Sequence, residues 1–538
     1  MPSPARRREI GGLLIVSTVV TAMSLLVSVP ANATTTATTA SATATTSATA
    51  TTSATATTSA SDETADEIEG ETEGAAEAGT ASEAAAVDEA AGVPLTELGT
   101  DAYANATSQH GTQAGPDTFQ SGTTIVVAQQ AGRFFDGGAS GIAFAASPDN
   151  GATWTKGVLP GITGFGGGPY QRVSDPSVAY DARHGVWLIS SLAMTGTGGT
   201  AVLTSRSADG GLTWGGPVTT AVAGSGDLDK SWIACDNTPA SPYYGRCHTA
   251  FDDNGAGNAI RMARSSDGGL TWTVTGTSAT GLGGQPVVRP DGTVVVPYLG
   301  ADGQIRSFRS RDGGVTWSAS VLVAVMQRHT VAGGLRATPL PSVDTDAAGN
   351  VYVVWHDCRF QYGCAGNDIV LSKSATGADW DDVLRVTDGD GDHFIPGLGV
   401  DRASYGTTAR LALTYYRYPD PACTAATCRL TVAFISSTNG GASWSAPREL
   451  YGPMAPDWLA NTTQGRMVGD YISTSVVPGG NAFPAFIAAT ASTGGAFDMR
   501  TYTVTGGLPI TDGGIAPLSV EAPIASGETG PGLPLTAR

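Results

Sequence analysis

The sequence predicts an all-β fold, a β-propeller, and three observations predict it. An octapeptide recurs: Ser207 to Trp214 (SADGGLTW) is matched position by position by Ser147 to Trp154, Ser265 to Trp272 and Ser310 to Trp317. Ser437 to Trp444 carries Asn in place of the Asp, and a worn copy ends in Gly377-Ala378-Asp379-Trp380. Between the copies lie short β-branched runs separated by Gly, Asp and Asn, and no run has the length and period of a long helix. In each copy the Asp and Ser bond backbone donors in a tight turn, Gly supplies positive φ and Trp anchors the turn on an apolar layer. Repetition at this interval marks a repeated structural unit.

Taken in order, residues 1–33 read as a secretory signal: Arg6-Arg7-Arg8, an apolar run through Leu13, Leu14, Val19, Leu25 and Leu26, then the small-residue end Ala31-Asn32-Ala33. Removal of this segment leaves no stable membrane span. Residues 34–104 are Ala/Thr/Ser repeats and an acidic run almost without large apolar side chains, and read as a disordered spacer. Residues 105–505 form the propeller, and 506–538 a Pro/Gly-rich tail.

Within the propeller each unit shows two β runs and a third leading into the octapeptide. The second runs start near Thr124, Val186, His248, Val294, Val351, Leu411 and Ala482, which gives seven units. Four-stranded antiparallel units set around an axis avoid long exposed sheet edges. The seventh unit has no octapeptide, and its missing outer strand is expected from residues before 124.

The net charge of −19 is uneven: Asp62 to Glu89 holds 11 acidic residues and no basic one. The rest is mildly acidic with no basic patch, which argues against a nucleic-acid partner. Six cysteines fall as close pairs, Cys235/Cys247, Cys358/Cys364 and Cys423/Cys428; behind a signal peptide these point to three local disulfides in a secreted, extracellular protein. A monomer is expected.

Loops of an up-and-down unit alternate between two faces. The octapeptides mark one face, and the opposite face collects the polar residues. Entering first strands are Arg172, Asp175, Asp229, Lys230, Arg336, Asp392, His393, Arg466, Asp470 and Tyr471; leaving second strands are Arg133, Asp136, His356, Asp357, Arg359, Tyr416 and Arg417. Several Arg side chains near one axis would make a fork-shaped receptor for carboxylate or sulfate. Taken singly, each residue is as well explained by a strand-end ion pair or a capped turn. Asp388, Asp390 and Asp392 alternate as in a calcium loop, but Gly399 stands where its last acidic ligand belongs; no cofactor is expected, with calcium as the one candidate.

The octapeptide resembles the Asp box of the sialidase (neuraminidase) superfamily over about residues 120 to 505. That resemblance implies a propeller, commonly of six blades, so six is the alternative to seven. It also implies an arginine triad on a substrate carboxylate, an Asp acid/base and a Tyr nucleophile activated by Glu. Two features depart from it: the Phe-Arg-Ile-Pro element is missing, and Glu449 is the sole Glu between 120 and 505. Three readings follow. The first is an exo-glycosidase of sialidase type acting on terminal acidic sugars, with Asp175 as acid/base, Tyr471 as nucleophile, Asp470 or His356 assisting, and Arg133, Arg172, Lys230, Arg336, Arg359, His393, Arg417 and Arg466 binding substrate. The second is a uronate-directed polysaccharide lyase using Tyr or His as base. The third is a non-catalytic glycan-binding propeller.

Overall fold

The computed structural model describes residues 92–224 and 227–514, so the expected signal, the acidic spacer up to residue 91 and the tail from 515 lie outside the described residues. The described chain is all-β, with 3-10 turns as its helical elements. Three four-stranded sheets and two eight-stranded ones carry the fold, and each eight-stranded sheet is two four-stranded meanders stitched edge to edge, giving seven meanders. One stitch is the single pair Ala139↔Val173. The other is Gly281↔Gly300 with Leu282↔Leu299.

The first sheet runs Gln113–Ser121, Thr124–Arg133, Ala139–Ser147 and Thr155–Val158; the second runs Arg172–Asp181, Val186–Thr195, Gly198–Ser207 and Val218–Val222. The third is Leu228–Cys235, Cys247–Asp253, Ala259–Ser265 and Thr273–Leu282, and the fourth is Val287–Val288, Val294–Gly300, Ile305–Ser310 and Val321–Ala324. The fifth holds Ser342–Thr345, Val351–Asp357, Asp368–Ser374 and Leu384–Arg385, and the sixth Asp392–Val400, Leu411–Tyr418, Leu430–Ser437 and Arg448–Met454. In the seventh, Ser473–Val476, Ala482–Thr493 and Ala496–Val504 are completed by Leu95–Gly99, which pairs antiparallel with the third of these. That strand lies inside the segment expected as spacer up to residue 104. It supplies the outer strand that the seventh unit lacked.

The first strand of each sheet packs against the first strand of the next, and that of the seventh against that of the first. Each is also an edge strand, whose free N–H and C=O groups need partners. Short polar side chains from neighbouring first strands provide them. Asp117 accepts from the Val178 N–H (2.7 Å) and Ser177 from the Ile233 N–H (3.0 Å). Ser342 and Asp344 accept from the Leu398 and Val400 N–H groups, and Thr474 donates to the Gly397 carbonyl. Thr118 and Ser475 bond each other at 3.0 Å, which ties the first sheet to the seventh.

The octapeptide turns share one bonding pattern. In the copy at 207, the Ser207 hydroxyl donates to Asp209 (2.7 Å), Asp209 accepts from the Thr213 N–H (2.9 Å), and the Trp214 indole donates to the Gly211 carbonyl (3.0 Å). Gly210 and Gly211 hold φ of 84° and 83°, which side chains with a Cβ rarely adopt. Trp214 then packs against Phe144 of the first sheet, so each turn ties its own sheet to a neighbour's apolar layer. The three disulfides join Cys235–Cys247, Cys358–Cys364 and Cys423–Cys428.

Candidate functional site

Four first strands carry a bulge at the same place, and each bulge turns on a residue of positive φ. These are Gly115 (57°), Asp175 (47°), Lys230 (40°) and Ile395 (50°). Glycine adopts this region freely, whereas an Asp, a Lys and an Ile there store strain that the surrounding structure must hold. A bulge re-aims the side chain it carries. Here two of the four side chains are charged.

The Lys230 ammonium contacts Asp175 Oδ1 at 3.1 Å and also donates to Asp470 Oδ2. Arg336 closes on the same Asp470 carboxylate as a two-pronged fork, at 2.7 Å and 2.5 Å. Asp175, Lys230, Arg336 and Asp470 come from four different parts of the chain, and each is at most 5% exposed. Arg133 is also buried, donates to Gln130 at 2.5 Å, and leaves its Nε and second terminal nitrogen without a hydrogen-bond partner. Tyr471 caps the group from below: its hydroxyl donates to the Pro176 carbonyl (2.8 Å) and its ring meets Trp232 edge-on at 4.7 Å.

Burial and charge set the protonation states. Burial works against the Asp470 carboxylate, but Arg336 and Lys230 hold it well below the usual range. Burial likewise opposes the Lys230 ammonium, and Asp175, Asp470 and Asp229 outweigh it and push its pKa up. Asp229 is raised to about 7, chiefly by burial. Arg133 is lowered to about 10 by burial and the neighbouring Arg336. Tyr471 is pushed well above its ordinary value by burial and then by Asp175, Asp117 and Asp470, so its phenol stays protonated at neutral pH.

The remaining expected site residues lie elsewhere. Arg172 pairs with Asp136 (2.5 Å) and stacks over Phe134 at 4.3 Å. Arg466 donates to the Leu459 carbonyl, and its own carbonyl accepts the Arg336 N–H, so backbone rather than guanidinium meets the cluster. Arg359 forks onto Asp357, and Arg417 reaches Glu449 on the outer strand of the sixth sheet. His356 is buried and pushed down to about 3 by burial and Arg328, so it is neutral. His393 is buried against Tyr415, bonded to the Asn367 carbonyl. Asp392 spends one oxygen on two Asn367 donors, and Asp388 caps the Gly389 N–H. Among the described residues no three His, Cys, Asp or Glu side chains are grouped to hold a metal ion.

Sequence reasoning missed Asp117 and Gln130. The signal for Asp117 was present: it follows Pro116 as Ser177 follows Pro176 and Ser342 follows Pro341, and all three accept an N–H from the next first strand. Exposed aromatics stand at loops of the same face as the ion cluster: Phe135 is 51% exposed, Phe165 46% and Tyr362 98%.

No family model matches the chain. No curated protein matches it. Among solved structures, a Hadza microbial sialidase is similar at 17% identity over 56% of this chain and 63% of that one, with a TM-score of 0.43. The NanB sialidase from Streptococcus pneumoniae is similar at 13% identity over 61% of this chain and 68% of that one, TM-score 0.41. An ulvan lyase, a polysaccharide lyase, is similar at 13% identity over 77% of this chain and 96% of that one, TM-score 0.45. The chain spans under two thirds of the first sialidase, and likenesses of this strength do not define chemistry.

Proposed function

We propose that the seven sheets close as a seven-bladed, sialidase-like β-propeller, and that the protein is secreted and binds extracellular glycans without cleaving them at the axial ion cluster. The observation that carries this is that the groups needed for turnover are already engaged inside the protein. Asp470 fills the Arg336 fork that would receive a substrate carboxylate, and Lys230 is held between two aspartates. Tyr471 spends its proton on a carbonyl and has no base beside it that favours the phenolate. Buried ion pairs of this kind fix geometry at a cost in desolvation, and they do so whether or not substrate is present. Phe135, Phe165 and Tyr362 supply exposed ring faces on which sugars stack. Three disulfides fit an oxidising, extracellular setting.

The exo-glycosidase remains a second reading because of one observation, the positive φ at Asp175 and Lys230, since strain of this kind gathers at reacting centres. The lyase reading loses its base: Tyr471 is protonated, and His356 and His393 are buried in sheets away from the cluster. Affinity electrophoresis through gels containing acidic polysaccharide tests the binding reading. Retardation of the secreted protein, reduced several-fold in Phe135→Ala with Tyr362→Ala, is expected; unretarded migration through every polysaccharide would overturn it.

A further inference from the structure

A cavity of about 370 Å³ lies among the first strands, on the side of the Trp232–Tyr471 layer away from the Arg336 fork. First strands of all seven sheets, or the residues flanking them, reach it, through residues such as Asp117, Val178, Trp232, Val343, Leu398 and Ser475, with Val288 opposite. A void of about 20 Å³ behind Trp232, room for about one water, separates it from Lys230. The cavity is therefore distinct from the ion cluster, and its size falls within the range of about 300 to 1,000 Å³ usual for small-molecule sites.

Its wall chemistry narrows the ligand. The charged groups are internally satisfied: Arg402 bonds Asp344 (2.9 Å) and lies over the Phe119 ring at 4.4 Å. Asp344 also accepts from the Val400 N–H, and Asp346 accepts from the Asn350, Tyr352 and Gly406 donors. An anion would find no open guanidinium and a cation no open carboxylate pair. What the wall offers is the rings of Phe119 and Trp232, aliphatic patches such as Val288, and hydroxyl and amide groups including Ser473 and Gln285. Rings for C–H faces beside neutral groups that both donate and accept are what a small polyhydroxylated molecule requires.

We infer that this cavity is a binding site for a neutral monosaccharide-sized polyol, seated between Phe119 and Trp232. The inference stands apart from the proposed glycan binding, because it uses the other side of the ion layer and soluble ligand. The test is saturation-transfer difference NMR on the full chain with glucose, galactose, mannose and N-acetylglucosamine as probes. At least one sugar is expected to receive saturation from the wild-type protein and to lose it in Val288→Trp, which fills the cavity, with a cooperative melt showing that the variant is folded. No transfer to any of the four, or equal transfer in the folded Val288→Trp protein, would overturn the assignment. Should that variant not fold, Phe119→Ala decides: at least a tenfold weaker Kd supports the site, and an unchanged Kd refutes it. Loss of acidic-polysaccharide retardation with monosaccharide transfer intact would sink the glycan-binding reading alone.

Discussion

Lys230 has no water to fall back on: its ammonium is 5% exposed and sits between Asp175 and Asp470. Lys230→Met would leave two buried carboxylates without their cation, and removing one partner of a buried pair costs roughly 3–5 kcal/mol. A denaturant midpoint shifted by that amount, read from chemical unfolding, is the expected outcome. The same layer is insensitive to pH near neutrality. Asp470, depressed in the fold, contributes stability above its unfolded pKa of about 3.9 and loses it as pH falls through the folded value; Lys230, raised, contributes below about 10.4 and loses it as pH rises through its own. Asp117 behaves oppositely. Burial raises it to about 7, so the fold holds a proton that the unfolded chain has released above about 3.9, and stability falls as pH rises from about 4 to 7. Asp117→Asn keeps an acceptor for the Val178 N–H and should flatten that fall in melting temperature between pH 4 and 7.5, with the residual slope belonging to Asp229.

At the scale of elements, the free edge of each first strand is the weak point, and side chains from the neighbouring sheet cover it. Ser177→Ala would leave the buried Ile233 N–H without its partner, a loss of about 1–3 kcal/mol that thermal unfolding would register. Strands were legible where the sequence states its own period: the runs beginning at Thr124, Val186, Val294, Val351, Leu411 and Ala482 open second strands at those residues, because β-branched stretches between Gly and Asp turns have few alternatives. The bulges were not legible. Positive φ at Asp175, Lys230 and Ile395 is imposed by packing against neighbouring strands, and nothing in the local composition asks for it. Leu95–Gly99 was hidden too, since five residues beside a low-complexity segment carry too little pattern to show a strand whose partner is some 400 residues away.

For the whole molecule, that late pairing means that the chain's two ends meet in one sheet. Removing residues 1–104 would bare the Ala496–Val504 edge, and light scattering after size-exclusion chromatography is expected to show self-association that the longer protein does not. Which face carries polar residues was readable from loop order alone. Which of them meet was not: the sequence offered Arg172, Arg359, Arg417 and Arg466 on the same terms as Arg336, and only the fold decides that Arg336 forks onto Asp470 while the others find local partners. The most direct measurement is incubation of the secreted protein with sialylated glycans and uronate-rich polysaccharides, followed by mass spectrometry of every product. A sealed ion layer predicts intact glycans at all times of incubation. Released sialic acid, or an unsaturated uronate lighter by one water than the hydrolysis product, would show that Asp175, Lys230 and Asp470 open to substrate and would contradict the account.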